Sequence, residues 1–522
     1  MTTASNNATD GTASGSAEVI ALREEVSELK HQLAWFKKQL FGTKSEKRVE
    51  ENPDQLELFT KKQTPDPKEQ PKQTITYERG KFKKKRGDDC ISEEGLRFDP
   101  SVPVKTIILP VPGAAGLSED EYEVIGTKVF HKLAQRPASY VVLRYEQPVI
   151  KIKATQAIEN AITPMAVFDR SVADVSFLAG LLVDKFVYHL PLYRQHQRLT
   201  GGGITLSRAT LTNLVRRSIG LLEPIVDAQL DNALLSRVLA MDETPVKVGL
   251  SKTKKGRMHQ GYFWPVYGDQ DEVCFIYTDS RAHRHVSRIL NERFSGTIVS
   301  DGYSAYASYA QQNEAITSAQ CWTHTRRYFF DALDSEPVAA AEMLDLIGVL
   351  YRHEAQIKEQ ALDVAQTLKY RIKRSKPVVD YVIAWVSAQR QREDLLPKDP
   401  FSKALVYLSN REVELSVFLT DGEVPLDTNH LERQIRPIPM GRRNWLFCWT
   451  ELGAKHVGII QSLVSTCKLH GINPYTYLVD VLQRVQIHPS SEIQQLTPRL
   501  WKTHFADNPL RSDLEIDTRY VV

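Results

Sequence analysis

Two aspartates at the ends of short apolar runs are the first candidates for chemistry. Asp242 follows residues 238–241, and Asp301 comes soon after the β-branched residues 297–299. Runs of this kind are typical of buried strands, so we expect each aspartate at the end of a strand, beside a cleft. An aspartate in this position is also a common turn residue, and this simpler reading stays open for each of them.

A third carboxylate, Glu432, lies in a helical setting. Asp427 or Thr428 can cap a short helix here, and Pro437 must end it. Two strand-borne aspartates and a helix-borne glutamate would offer the oxygen ligands that hard cations prefer. We therefore predict one site for two Mg²⁺ ions, or Mn²⁺ in their place, that supports phosphoryl transfer.

Length and composition limit the class of protein. At 522 residues the chain is expected to form three or more domains, and 42% hydrophobic with 25% charged residues is ordinary for a soluble globular protein. The sequence contains neither an apolar run near 18 residues nor a secretory leader, so we expect no membrane association and a cytosolic location. Five cysteines without a C-x-x-C pair argue against disulfides and against structural zinc.

The N-terminal region divides into three parts. Residues 1–17 have the composition of a disordered tail, and residues 18–42 carry apolar side chains in an unbroken heptad pattern that predicts a self-associating coiled coil. Residues 43–86 are predicted to be a flexible linker, because ten basic and three acidic residues fall between positions 60 and 86 among several prolines. This linker either contacts polyanions or is only solvated.

The next two segments differ in periodicity. Residues 87–165 contain strand-like runs and are predicted to form a small β-rich module. Residues 166–236 are helical, with a glycine turn at 201–203 and Ser207 as the cap of a basic helix. This order suggests a helix-turn-helix reader, although a plain helical subdomain fits as well. The candidate DNA-binding residues are Arg208, Asn213, Arg216 and Arg217.

The remainder of the chain predicts an interrupted catalytic core. Residues 237–330 alternate strands and helices, residues 331–425 form an all-helical insertion, residues 426–487 complete the core, and residues 488–522 form a C-terminal tail. Meandering strands, a helix and a further strand, with carboxylates at two strand ends, fit a ribonuclease H-like fold. The fold class is thus multidomain α/β.

Several polar residues near the carboxylates could contact DNA phosphates. Cys321 and His324 have the spacing of a metal pair, but the sequence has no second pair, so zinc is not expected. A histidine beside arginines suits a phosphate instead. The phosphate-contact candidates are His324, Arg327, Asn429, Arg433, Arg436, Arg442 and Arg443; a solvated arginine cluster is the alternative for the arginines.

The chain resembles the large transposase of the insertion sequence 66 family, a group of bacterial DDE transposases. The resemblance rests on six segments: LFGTKSEKR, MDETPVKV, SDGYSAY, CWTHTRRYFFDAL, NHLERQIRPIPMGRRNWLF and KLHGINPYTYL. It implies a ribonuclease H-like core in which Asp242, Asp301 and Glu432 form the acidic triad. It also implies double-stranded DNA as partner, at transposon ends and target, and two small accessory proteins of the same element.

One departure from the family pattern concerns zinc. Members usually carry a four-cysteine zinc module after the coil, whereas the corresponding region here, with VPGAAGLSEDEYEVIG, retains no cysteine. Cys90 alone cannot hold a metal, so no structural zinc is expected. The expected activity is cleavage at transposon ends and joining of 3′-hydroxyls to target DNA. Two alternatives stay open: a transposase-derived regulator that binds DNA without cutting, and a hydrolase of another class with paired carboxylates, such as a glycosidase.

Overall fold

A computed structural model describes residues 96–515, except positions 101, 119, 137–138, 165, 250–257, 292, 446–447 and 449. The predicted N-terminal tail, coiled coil and basic linker lie outside the described residues.

The β-rich region is built around one long hairpin. Its strands are β1 (Arg97–Phe98), β2 (Val104–Ile108), β3 (Tyr122–Arg136), β4 (Ser139–Ile152) and β5 (Ile158–Asn160). Strand β4 pairs with β3 and β5 in antiparallel fashion and with β2 in parallel. Strand β4 runs unbroken through Pro148, which pairs with Thr127. The register of β3 shifts nearby, between Val124 and Gly126.

A helical layer follows the hairpin. It contains α1 (Val175–Phe186), α2 (Leu192–Gly201), the short strand β6 (Ile204–Thr205) and α3 (Arg208–Ala233). Nearly every residue of α1 is buried, as its continuous apolar sequence predicts. Ser207 caps α3, because its Oγ accepts a hydrogen bond from the Thr210 amide at 3.0 Å.

The central sheet carries both candidate aspartates. Its strands are β7 (Val238–Met241), β8 (Thr244–Val248), β9 (His259–Tyr267), β10 (Val273–Thr278), β11 (Gly296–Ser300) and β12 (Ile316–Gln320), with α4 (Arg284–Leu290) and α5 (Ser304–Gln311) between the later strands. The order is β10-β9-β7-β11-β12, and β8 pairs with β9. Strands β7, β9 and β10 alternate in direction, whereas β11 is parallel to both β7 and β12. The carboxyl ends of β7 and β11 therefore meet at one edge.

A helical region leaves the sheet after β12 and returns to it. It contains α6 (Trp322–Asp331), α7 (Pro337–Glu359), α8 (Val364–Arg374), α9 (Lys376–Gln389), α10 (Pro400–Ser409) and α11 (Glu412–Ser416), and a 3₁₀ turn follows at Val417–Leu419. Its apolar side chains form a core of their own that joins the sheet through Trp322 and Val299. The Trp322 indole donates a hydrogen bond to the Leu415 carbonyl at 2.9 Å, which ties the two ends of this region together.

The last helices pack on the sheet and on the helical layer. They are α12 (Asn429–Ile435), α13 (Pro437–Trp445), α14 (Glu451–Leu469), α15 (Pro474–Arg484) and α16 (Pro498–His504), with a 3₁₀ stretch at Ser490–Leu496. The segment predicted as a C-terminal tail buries Leu496, Trp501 and Leu514, so its part up to residue 515 belongs to the folded body. Over residues 96–515, outside the gaps given above, the helices are too short or too polar to cross a membrane.

Helix α14 covers the free edge of the central sheet. The outward amides of Val273 and Phe275 in β10 donate to Thr466 Oγ1 at 3.2 Å and to Ser462 Oγ at 2.8 Å. Gly458 permits this approach, because a Cβ there would lie 2.3 Å from the Phe275 carbonyl oxygen. The edge amides are thus paired with side chains of a helix instead of a further strand.

Candidate active site

Asp242 and Asp301 lie at adjacent strand ends, as the sequence predicts. Asp242 follows β7 and Asp301 follows β11, and these strands are parallel neighbours. Asp242 Oδ1 accepts a hydrogen bond from the Glu243 amide at 2.7 Å, and Asp301 Oδ1 accepts one from the Tyr303 amide at 2.9 Å. These bonds fix the direction of each carboxylate and leave Oδ2 of both aspartates to other partners.

The cluster contains a third carboxylate, Glu243, which is not among the predicted site residues. Asp242, Glu243 and Asp301 each place a carboxylate oxygen within 4.8 Å of the others. In a strand, consecutive side chains point to opposite faces, but residues 242 and 243 lie between β7 and β8 and escape that alternation. The adjacency of two acids just after a buried strand was the available signal.

Glu243 is held by two neighbours that differ in charge. Its side chain is only 2% exposed and forms an ion pair with Arg281, while the Tyr306 hydroxyl donates to its Oε2 at 2.9 Å. The Arg281 guanidinium lies over the Tyr303 ring at 3.9 Å, and the Tyr303 hydroxyl donates to the Arg281 carbonyl. The charge of Glu243 is therefore balanced within the protein.

The protonation of the cluster reflects burial and crowded negative charge. Burial and the neighbouring Asp301 carboxylate raise the pKa of Asp242 to about 7. The same two causes raise the pKa of Glu243, against the opposing effect of Arg281. A cation would relieve this repulsion, and carboxylate oxygens are the ligands that Mg²⁺ and Mn²⁺ prefer, so the donor set fits such an ion.

Glu432, the third predicted ligand, lies next to His324 and not in the carboxylate cluster. It lies on α12, outside the group of oxygens within 4.8 Å, and its Oε1 is 3.7 Å from His324 Nε2 on α6. The start of α12 is attached to the start of α6, because the Thr428 amide donates to Cys321 Sγ at 3.3 Å. Glu432 and His324 are thus brought together by the packing of two helices.

The surroundings of His324 favour its protonated form. Burial acts to lower its pKa, but the Cys321 side chain, followed by the charges of Asp301 and Glu432, raises the pKa of His324 to about 9. The same pairing with His324 lowers the pKa of the Cys321 thiol in spite of its burial. A protonated imidazole at this position can donate a hydrogen bond to a phosphate oxygen.

The other phosphate-contact candidates fall into two groups. Asn429 binds back to the Asp427 carboxylate, and Arg442 donates to the Pro245 carbonyl in the segment after Asp242, so both have partners within the protein. The remaining four are exposed to solvent: Arg327, Arg433, Arg436 and Arg443.

The candidate DNA-binding residues lie on the exposed face of α3, opposite its buried residues Leu211, Leu214 and Val215. Arg216 donates to Asn213 Oδ1 at 3.1 Å. The set consists of Arg208, Asn213, Arg216 and Arg217, all exposed. Two of the arginines lie over aromatic rings, Arg217 over Phe168 at 4.0 Å and Arg208 over Tyr193 at 5.9 Å.

Comparison with known proteins identifies the family. The family model described as "Transposase IS66 family" matches residues 170–456, and "IS66 C-terminal element" matches residues 462–499. A third model, "Transposase C of IS166 homeodomain", matches residues 28–90. This match covers the region of the predicted coil and linker. A homeodomain is a helix-turn-helix variant, whereas the sequence pattern suggests a helix-turn-helix at residues 166–236.

Three similar proteins come from Sinorhizobium fredii (strain NBRC 101917 / NGR234). "Uncharacterized protein y4jD" is 28% identical over 518 residues, which cover 93% of this chain and 96% of that protein. "Uncharacterized protein y4hP" and "Uncharacterized protein y4qI" are each 28% identical and cover 72% and 76% of this chain, and 71% and 75% of their own lengths. Since the first family model alone spans more than half of the sequence, the chain belongs to the IS66 family of transposases.

Proposed function

We propose that this transposase cleaves DNA at the ends of its element and joins the freed 3′-hydroxyls to target DNA, with divalent cations held by Asp242, Asp301 and Glu432. The observation that carries the proposal is the meeting of the Asp242 and Asp301 carboxylates at adjacent parallel strand ends. Glu432 lies outside this cluster, next to His324. Family membership supports the reaction class.

The arrangement of the central sheet supports a ribonuclease H-like core. Three strands that alternate in direction, β7, β9 and β10, are followed by a helix and by two parallel strands, β11 and β12. Both aspartates follow the strands at the centre of this sheet. The helical region between Asp301 and Glu432 then corresponds to an insertion into the core.

The protein groups have distinct roles in this proposal. Bound cations would activate the attacking oxygen and stabilise the leaving one. The oxygens available as ligands are Oδ2 of Asp242 and Oδ2 of Asp301. The negative charge of Glu243 is neutralised by its ion pair with Arg281. His324 donates to a phosphate oxygen and holds Glu432 in place.

DNA binding is assigned to several parts of the chain. The residues matched by the homeodomain model would contact the duplex, together with the exposed arginines of α3 and those near Glu432. The heptad region at 18–42 would join protomers, so that two element ends are held in one complex. Two small accessory proteins of the same element are further proposed partners.

The decisive experiment compares charge-removing variants on linear DNA that bears the element's ends. We expect Asp242→Asn, Asp301→Asn and Glu432→Gln each to abolish Mg²⁺-dependent nicking at the 3′ ends while end binding persists, because they remove ligand charge and little packing. Glu359→Gln, an exposed change on α7, is the control and should cleave normally. If a variant of Asp242, Asp301 or Glu432 keeps near-full cleavage, that residue does not belong to the proposed site. If the wild-type protein binds the ends but never cuts them, the protein is a DNA-binding regulator.

A further inference from the structure

The helical region after β12 touches the turn that carries Asp301. Tyr407 on α10 donates its hydroxyl hydrogen bond to the Asp301 carbonyl at 2.6 Å. Arg411, just beyond α10, donates from Nη2 to the Gly302 carbonyl at 3.3 Å. Two successive peptide carbonyls of this turn are thus held by side chains that lie more than 100 residues later in the sequence.

The turn after Asp301 has an unusual backbone conformation and is closely packed. Gly302 has φ +91°, a conformation that residues with a Cβ rarely adopt. A Cβ at Gly302 would lie 2.7 to 2.9 Å from Gln320 Oε1, Arg411 Nε and the Tyr407 hydroxyl oxygen, so these three side chains pack directly against the glycine. The backbone beside Asp301 is therefore enclosed on the side of the insertion.

The two supporting side chains are held in turn by their neighbours. The Arg411 guanidinium lies over the Tyr407 ring at 4.0 Å, and the Tyr328 ring of α6 stacks on Tyr407 with 4.2 Å between centroids. Helix α6 also carries His324, beside Glu432. The same helix pair thus supports the surroundings of both Asp301 and Glu432.

We propose that Tyr407 and Arg411 are positioning residues of the insertion, which fix the Asp301 turn so that its carboxylate is directed at the cation site. The proposal rests on the proposed function, because it takes Asp301 as a metal ligand. The insertion is then part of the catalytic apparatus instead of a spacer between Asp301 and Glu432. Because each side chain contributes one hydrogen bond to the turn, the loss of either should weaken cation binding by about 2- to 10-fold.

The test uses the full-length chain with Tyr407→Phe and Arg411→Met. Free Mn²⁺ measured by electron paramagnetic resonance in the absence of DNA reports cation affinity, and thermal melting reports folding. We expect weaker Mn²⁺ binding with melting curves close to wild type, and cleavage that recovers when Mn²⁺ is raised to saturation. Tyr381→Phe and Arg390→Met, exposed changes on and just after α9, are the matched controls and should bind Mn²⁺ as wild type does.

The outcomes distinguish an error in the positioning role from an error in the metal site itself. Tyr407→Phe removes one hydroxyl and no ring packing, so it decides the question if Arg411→Met unfolds. Wild-type Mn²⁺ affinity in Tyr407→Phe overturns the positioning role and leaves the metal site intact. If instead Asp242→Asn and Asp301→Asn bind Mn²⁺ as wild type does, the metal site itself fails, and with it the proposed function.

Discussion

At the residue scale, the Asp242 carboxylate is ionised at an energetic cost to the fold. It is buried and close to Asp301, and these causes raise its pKa from 3.8 to about 7. The folded protein therefore binds this proton more tightly than the unfolded chain does. The resulting stability is fully present below pH 3.8 and is lost as the pH rises through about 7.

We expect Asp242→Asn to melt at a higher temperature than wild type at pH 8 without metal, because the neutral amide avoids this cost. The gain cannot exceed about 4 kcal/mol, and it should shrink at pH 5, where Asp242 is protonated in the folded protein. The stability gain is measured as the difference in melting temperature between variant and wild type at pH 8 and at pH 5. Asp331→Asn, an exposed change, is the control. A difference that does not change with pH would contradict the assignment. Added Mg²⁺ should stabilise wild type more than the variant.

At the element scale, the free edge of the central sheet depends on two hydroxyls of α14. Ser462 and Thr466 accept hydrogen bonds from the edge amides of β10, and Gln229 donates to the Val273 carbonyl at 2.8 Å. A sheet edge paired with side chains resists the addition of strands from other chains. The helix thus protects the sheet in addition to packing on it.

The contribution of this edge can be measured by removing the hydroxyls. Ser462→Ala and Thr466→Val should each lower the free energy of unfolding by about 1–3 kcal/mol, because each leaves a buried amide unpaired. Denaturant unfolding provides the measurement. Ser287→Ala, an exposed change on α4, is the matched control and should be near neutral. Equal stability in all four proteins would show that the edge amides find other partners.

A second prediction at this scale concerns the heptad segment at 18–42, which lies outside the described residues. Replacing Val26 and Leu33 with lysine places charges in the predicted apolar seam and should convert an associated protein to a smaller species. Sedimentation velocity measures the change. Ser27→Lys with Ala34→Lys adds the same charge one position outside the seam and should not alter association. Unchanged sedimentation of the seam variant would refute the coiled coil.

At the scale of the whole molecule, positive charge is concentrated ahead of the described body. The complete chain has a net charge of +3, whereas the ten basic and three acidic residues between positions 60 and 86 carry +7. The rest of the chain is therefore slightly acidic. If the linker supplies non-specific affinity for DNA, binding should depend steeply on salt, with about 0.9 in the log–log slope for each phosphate neutralised.

The contribution of the linker to DNA affinity can be tested by changing five basic residues to glutamine: Lys81, Lys83, Lys84, Lys85 and Arg86. We expect the slope of log affinity against log salt to fall in magnitude by about two to four, while the ratio of end to random DNA binding stays nearly constant. Both binding constants across a salt series measure it. An unchanged slope would mean that the linker is only solvated. A fall in the ratio of end to random DNA binding would mean that the linker recognises the DNA sequence, as the homeodomain match over residues 28–90 would allow.

The sequence by itself determined features that depend on neighbouring residues. Asp242 and Asp301 follow buried strands because short apolar runs specify strands locally, and Ser207 caps α3 through a contact three residues away. The break between α12 and α13 likewise follows from Pro437. Motif resemblance, which is also read along the chain, identified the family.

Only the tertiary structure decided the contacts between distant segments. It placed Glu243 in the carboxylate cluster, joined Glu432 to His324, and set Tyr407 against the Asp301 carbonyl. It also packed Leu496 and Trp501 from the predicted tail into the body. Such contacts depend on how helices and strands pack in three dimensions, and neither periodicity nor capping along the chain specifies which distant side chains will meet.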